Sequence, residues 1–97
     1  MKFEWDAQKS RANISKHGLG FKDASRVFQQ PLRVSLDRRQ DYGEERWIGL
    51  GVLDSRIVVI VFTEPDEETI RVISLRKALP SERKRYEQYV RNELGEG

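Results

Sequence analysis

Ile57-Val58-Val59-Ile60-Val61-Phe62 is apolar at every position. A strand with one wet face alternates apolar and polar side chains, so this unbroken run predicts a central strand covered on both faces. Upstream, Glu45–Leu53 reads as a partner strand that meets Arg56–Thr63 through a tight turn at Asp54-Ser55. Downstream, Glu64–Glu68 reads as an acidic turn and Thr69–Arg76 as the last strand. Before the hairpin, Leu32, Val34 and Leu36 alternate with Arg33 and Ser35, the period of a half-buried strand, and Asp37–Gly43 is a polar loop. Ahead of Pro31 the period lengthens to that of a helix, with Phe21, Ala24, Val27 and Phe28 on one face. Asp6 and Gly18 stand where the N-cap and C-cap of a first helix belong, and Lys2–Trp5 is a short opening strand. Pro80 suits the first turn of a closing helix. The order β-α-α-β-β-β-β-α predicts an α+β fold, an antiparallel β-sheet flanked by helices, because short connections favour antiparallel neighbours.

One domain spanning residues 1–97 accounts for this length. Leu, Ile, Val and Phe supply 26 of the 97 residues, above the roughly 20% below which disorder is expected. The absence of cysteine excludes a disulfide, a thiolate zinc site and a Cys nucleophile, and the single His17 excludes a multi-histidine metal site. Neither a cofactor nor a metal is predicted. The charged start Lys2-Phe3-Glu4-Trp5-Asp6 and the shortness of the longest apolar run predict a cytoplasmic protein with no membrane partner.

Eighteen Lys and Arg against 16 Asp and Glu leave a net charge of only +2, but twelve of the cations are arginine. Between Ile70 and Arg91 seven cations, Lys77 and Arg83 among them, meet only two acids. Such a face attracts an anionic partner, and it is equally the pattern of a solvated helix.

Four clusters could carry chemistry. His17, beside Lys16, has the side chain best suited to proton transfer near neutral pH, yet cations before Gly18 also suit a helix C-terminus. In Gly43-Glu44-Glu45-Arg46-Trp47 a carboxylate could act as base beside a cation, or the segment could be a charged strand entrance. In Arg71-Val72-Ile73-Ser74-Leu75-Arg76, alternation puts Arg71 on the face of Ile73 and Leu75, an unusual place for a charge. Arg71 then needs a carboxylate such as Glu45 or a phosphate, and Arg76 joins it only if a bulge re-aims the strand. Glu82-Arg83-x-x-Tyr86 aligns on one helix face, with Tyr86 as a core residue or as an acid at the rim.

These motifs together resemble BrnT-type toxins. The opening is Phe3-x-Trp5-Asp6-x-x-Lys9-x-x-x-Asn13-x-x-Lys16-His17-Gly18, followed by Phe21-x-x-Ala24-x-x-Val27-Phe28. Gly43-Glu44-Glu45-Arg46, Ile70-Arg71-x-Ile73-Ser74-x-Arg76-x-Ala78 and Glu82-Arg83-x-x-Tyr86 follow in order, so the resemblance covers Phe3 to Tyr86. It implies a ribonuclease toxin of a type II toxin–antitoxin module with a RelE-like fold. It also implies a BrnA-like antitoxin with a ribbon-helix-helix part, through which the pair reaches operator DNA. Carried over by position, the catalytic candidates are Lys16, His17, Glu45, Arg46, Arg71, Arg76 and Tyr86; Arg83 and Lys77 are candidates for binding RNA. The chain departs from the pattern after Thr63-Glu64, where Pro65-Asp66 stand in place of a common arginine. RNA can be cleaved by its own 2′-OH, and that route needs no protein nucleophile or metal. The RNA 2′-OH attacks the adjacent phosphate, while the protein supplies a base, an acid and cations for the developing charge. A non-catalytic nucleic-acid-binding module and a protein-interaction domain using the same basic face are the alternatives.

Overall fold

In the computed structural model of the chain, which describes residues 1–93, the apolar run lies inside the longest strand. The elements are β1 (Lys2–Glu4), α1 (Ala7–His17), a 3-10 turn (Phe21–Asp23), α2 (Ala24–Val27), β2 (Arg33–Leu36), β3 (Trp47–Leu53), β4 (Arg56–Asp66), β5 (Thr69–Lys77) and α3 (Pro80–Glu93). The strands form one sheet in the order β1-β5-β4-β3-β2. From β2 to β5 each strand runs antiparallel to its neighbour, as short connections require. β1 corrects the expectation of a wholly antiparallel, RelE-like sheet. It pairs parallel with β5, from Lys2 opposite Thr69 to Glu4 opposite Arg71, so the sheet is mixed. More than sixty residues separate these partners in the sequence, and no hairpin dictates their direction.

β4 is buried on both faces, as its composition demands. Val58, Ile60 and Phe62 meet Phe21, Ala24 and Val27 on one side, the helical face; Val59 and Leu50 lie under Tyr86 on the other, the α3 face. Phe3, Phe28 and Phe62 stack edge to face, with centroids 5.3 and 5.1 Å apart. Gly51 lets α2 approach this closely, because a Cβ there would stand 2.8 Å from Leu32 Cδ1 and 2.9 Å from Val27 Cγ1.

Both expected caps of α1 form. The Asp6 carboxylate accepts from the Gln8 and Lys9 amides at 2.8 and 3.1 Å. Gly18 closes the helix with φ +75°, its N–H donating to Ile14 O at 2.8 Å. α2 is shorter than the periodicity predicts, because Phe21–Asp23 winds as a 3-10 turn whose first amide donates to Ser10 Oγ. The β2–β3 loop is longer, reaching Arg46, because Asp37 ties it down from within.

β5 holds the decisive irregularity. Val61 pairs with Ser74 but Phe62 pairs with Val72, which leaves Ile73 as a bulge. A bulge shifts the alternation by one residue. Ile70, Val72 and Leu75 therefore all turn to the helical core, and Arg71, Ser74 and Arg76 come to the α3 face. The strict alternation that put Arg71 with Leu75, and opposite Arg76, is corrected by this one residue.

Candidate functional site

α3 covers only part of its face of the sheet. Beside it lies a groove of about 200 Å³ with an apolar floor of Ile48, Leu50, Val59 and Val61. Its polar lining is Arg33 and Ser35 from β2, Arg39 from the following loop, Ser74 and Arg76 from β5, and Glu82 and Arg85 from α3. Four guanidinium groups thus surround one carboxylate.

Each cation is set differently. Arg76 binds Glu82 through two parallel contacts, Nη1 to Oε1 at 2.8 Å and Nη2 to Oε2 at 2.9 Å. Glu82 Oε1 also accepts the Leu79 amide at 2.8 Å, capping the start of α3. The Arg76 contact above all holds the Glu82 carboxyl below the usual range, so it is ionised at neutral pH. Arg39 grips Asp37 by Nε at 2.8 Å and Nη2 at 2.7 Å, and Tyr42 OH adds a donor at 3.1 Å. The Arg39 hydrogen bond first, and the other donors with it, lower the buried Asp37 carboxyl to about 2. Arg33 and Arg85 line the groove without a side-chain hydrogen bond or ion pair to the described residues, and Arg85 is near enough to Glu82 to help lower its carboxyl. A wider hollow between α2 and the β3–β4 turn is a poorer anion site. Its one cation, Arg26, is already paired with Asp23 and Asp54.

Of the candidates read from the sequence, Arg76 lines the groove. Arg46 and Arg71 share its face of the sheet but lie further along the strands. Arg46 stacks on the Tyr42 ring at 4.0 Å, and Arg71 pairs with Glu4 at 2.8 Å, not with Glu45. Glu45 is exposed and borders a different hollow with Glu44, Trp47, Thr63 and Glu64. Lys16 and His17 end α1, which is fastened to β5 through Asn13 and Leu75, and neither lines the groove. Tyr86 is buried, and its hydroxyl donates to Pro31 O at 2.7 Å; burial pushes its phenol above the ordinary value. Arg83 is exposed, with Nη1 turned to Ala78 O at 3.4 Å. Lys77 lies beside Leu19 and Val58, away from the groove.

The groove residues that sequence reasoning missed are Arg33, Arg39 and Arg85. Two signals could have found Arg33 and Arg85, and none marks Arg39 within its loop. Arg33 and Ser35 form the polar side of β2, and Arg85 stands one helical turn after Glu82. Among the described residues no three His, Asp or Glu side chains converge to hold a metal, and no helix is long and apolar enough to cross a membrane.

The family described as the ribonuclease toxin, BrnT, of type II toxin-antitoxin systems matches residues 5–82 of the chain. The crystal structure of the Brucella abortus ribonuclease toxin BrnT is similar, with a TM-score of 0.67 and 31% sequence identity over 81% of this chain and 97% of that one. No curated protein matches.

Proposed function

The chain belongs to the BrnT family of ribonuclease toxins of type II toxin–antitoxin systems, and from that premise we propose that it is an endoribonuclease working in the arginine groove. The observation that carries the reading is the ring of Arg33, Arg39, Arg76 and Arg85 above an apolar floor. Guanidinium forks match phosphate oxygens, and the floor accepts sugar or base surface. In the proposed reaction the 2′-OH gives up its proton as it attacks the adjacent phosphate, the P–O5′ bond breaks with the 5′-oxygen taking up a proton, and a 2′,3′-cyclic phosphate remains. No metal takes part. The protein's main contribution is electrostatic: fixed donors stabilise the negative charge that grows on the phosphorane, each typically worth ~3 kcal/mol. Arg76 is held by two contacts to Glu82 and is the less exposed of the two paired arginines, 33% against 63% for Arg39. Ionised Glu82 is the carboxylate nearest to hand as a base, a weak one because Arg76 and the Leu79 amide already occupy it.

An antitoxin partner follows from the family's type II class. We take it to be BrnA-like, with a ribbon-helix-helix part that reaches operator DNA, and to neutralise the toxin by covering the same basic face. Purified protein incubated with single-stranded RNA in excess EDTA tests the reaction. Products ending in 2′,3′-cyclic phosphate, or its hydrolysis products, are expected; activity that appears only after Mg²⁺ is added contradicts it. A second reading rests on a specific observation, that His17 lies on α1 and outside the groove. On that reading the groove retains RNA without cutting it, and intact RNA bound in a salt-sensitive way would favour it.

A further inference from the structure

Beyond the groove, the same face of the sheet carries a second polar row. The Asp37 amide donates to Arg46 O at 2.7 Å, which continues the β2–β3 ladder one step past Trp47. Trp47 pairs with Phe62, so the next step sets Arg46 opposite Thr63, and Thr63 in turn pairs with Arg71. Arg46, just ahead of β3, Thr63 on β4 and Arg71 on β5 therefore stand side by side.

Two atoms in this row are anomalous. Thr63 is only 3% exposed, and its Oγ1 and the Arg46 Nε are buried without any hydrogen-bond partner among the described residues. Proteins seldom leave buried polar groups unpaired, and such exceptions need an explanation. Here both orphans are donors, or can be, and neighbouring strands bring them to the same face. The Tyr42 ring beneath Arg46 fixes the guanidinium plane, and Tyr42 is itself held by Asp37. Two of the nearby acids are engaged, Asp37 by Arg39 and Glu4 by one N–H of Arg71, which keeps other donors free; Glu44, Glu45 and Glu64 border the hollow that Thr63 also lines, so Arg46 and Arg71 must supply the charge that outweighs them.

We propose that Arg46 and Thr63, with Arg71 beside them, form a second phosphate-binding locus, so that one RNA strand crosses the sheet and is held at two of its phosphates. The proposal rests on reading the groove as an RNA site. Along β3 the new row lies four residues from Leu50, whose partners reach Arg33 and Arg76. At ~3.3 Å per residue the two loci are roughly 13 Å apart. A chain bearing an anion at every nucleotide can meet both loci at once, whereas a single nucleotide cannot span them.

The experiment uses 2′-O-methyl RNA, which cannot be cleaved, as an octamer and as a dinucleotide, with binding read by fluorescence anisotropy. Thr63→Val keeps the side-chain shape and removes only the orphan hydroxyl, so the variant should melt at or above the wild-type temperature. Arg46→Ala and Thr63→Val are each expected to weaken octamer binding roughly tenfold, the order of one charge-assisted hydrogen bond, and to change dinucleotide binding less than twofold. Arg46→Ala should also lower the slope of log affinity against log salt by ~0.7, which the uncharged Thr63→Val should not do. Wild-type octamer affinity in a folded Thr63→Val protein, with affinity still lost in Arg76→Ala, overturns the second locus alone. If Arg76→Ala and Arg33→Ala also bind normally, the groove reading fails with it. Loss of antitoxin binding with RNA affinity intact would assign the row to a partner's carboxylate and likewise overturn the proposal.

Discussion

Arg76 and Glu82 are joined by two hydrogen bonds of 2.8 and 2.9 Å across the junction of β5 and α3, and the same Glu82 oxygen that faces Arg76 Nη1 caps the helix at Leu79. One carboxylate thus aims a cation of the groove and anchors the helix that walls it. Glu82→Ala is expected to lower stability by about 1–2 kcal/mol, the sum of a lost cap contact and a partly exposed ion pair. It should also slow RNA cleavage, because Arg76 loses its fixed direction. Glu82→Gln keeps an acceptor for the Leu79 amide and should recover more of the stability than of the rate. Urea unfolding and single-turnover cleavage, measured on both variants, separate the two roles.

Asn13 completes the edge of β5 beyond the end of β1. Its Nδ2 donates to Leu75 O at 2.7 Å and its Oδ1 accepts the Leu75 amide at 3.3 Å, the two bonds a further strand would make. Asn13→Ala would leave both Leu75 backbone groups buried and unpaired, at about 2–4 kcal/mol. Denaturant titration should show that loss; a change below 0.5 kcal/mol, by the same scale, would mean that water replaces the side chain.

The β2–β3 loop should loosen in acid. Asp37 titrates at about 2 in the folded protein, below the ordinary 3.8. Its depressed value means that it stabilises the fold fully above about pH 4, and that this is lost as pH falls towards 2. The amount is about 1–2 kcal/mol, discounted because Arg39 is largely in solvent. Asp37→Asn should therefore be less stable than wild type at pH 7, and the gap should close near pH 2. A gap that stays constant with pH would show that shape, not charge, makes Asp37 useful.

His17 offers a sharp control on where proton transfer occurs. It ends α1 and does not line the groove. If the groove residues carry the reaction, His17→Asn should cut RNA within about threefold of the wild-type rate at every pH from 6 to 8, since general acid–base groups typically contribute 100-fold or more. A loss of that size in a folded variant would return His17 to the chemistry.

Much of this fold could be read from the sequence, because each element has its own period and punctuation. The all-apolar 57–62 run and the caps at Asp6 and Gly18 are local signals, and each stands where the structure has it, whereas α2 already ends at Val27, ahead of the stop read at Pro31. What escaped is non-local. Three residues of β1 contain nothing that selects β5 as partner or a parallel direction. The bulge at Ile73 is set by how β4 and β5 meet, and no residue announces it, yet it decides which way Arg71 and Arg76 face. The site was half legible for the same reason. Arg76 stood out through its strand, but Arg33 and Arg39 reach the groove only because β2 is the far edge of the sheet. On α3 the cation-rich run Arg83-Lys84-Arg85 favours no single member by composition. The packing of Tyr86 and Tyr89 against the sheet turns Arg85 to the groove and leaves Arg83 outside.

The central claim, that RNA is cut in the arginine groove, is tested most directly by the rates of Arg33→Ala and Arg76→Ala. Both are to be measured as single-turnover cleavage of one RNA, with circular dichroism and thermal unfolding recorded on the same preparations. Each variant is expected to stay folded and to cleave at least ~100-fold more slowly, and Arg76→Lys should recover only part of the rate because a point charge lacks the two-pronged geometry. A folded Arg33→Ala, Arg76→Ala double variant that cuts RNA at the wild-type rate would contradict the account.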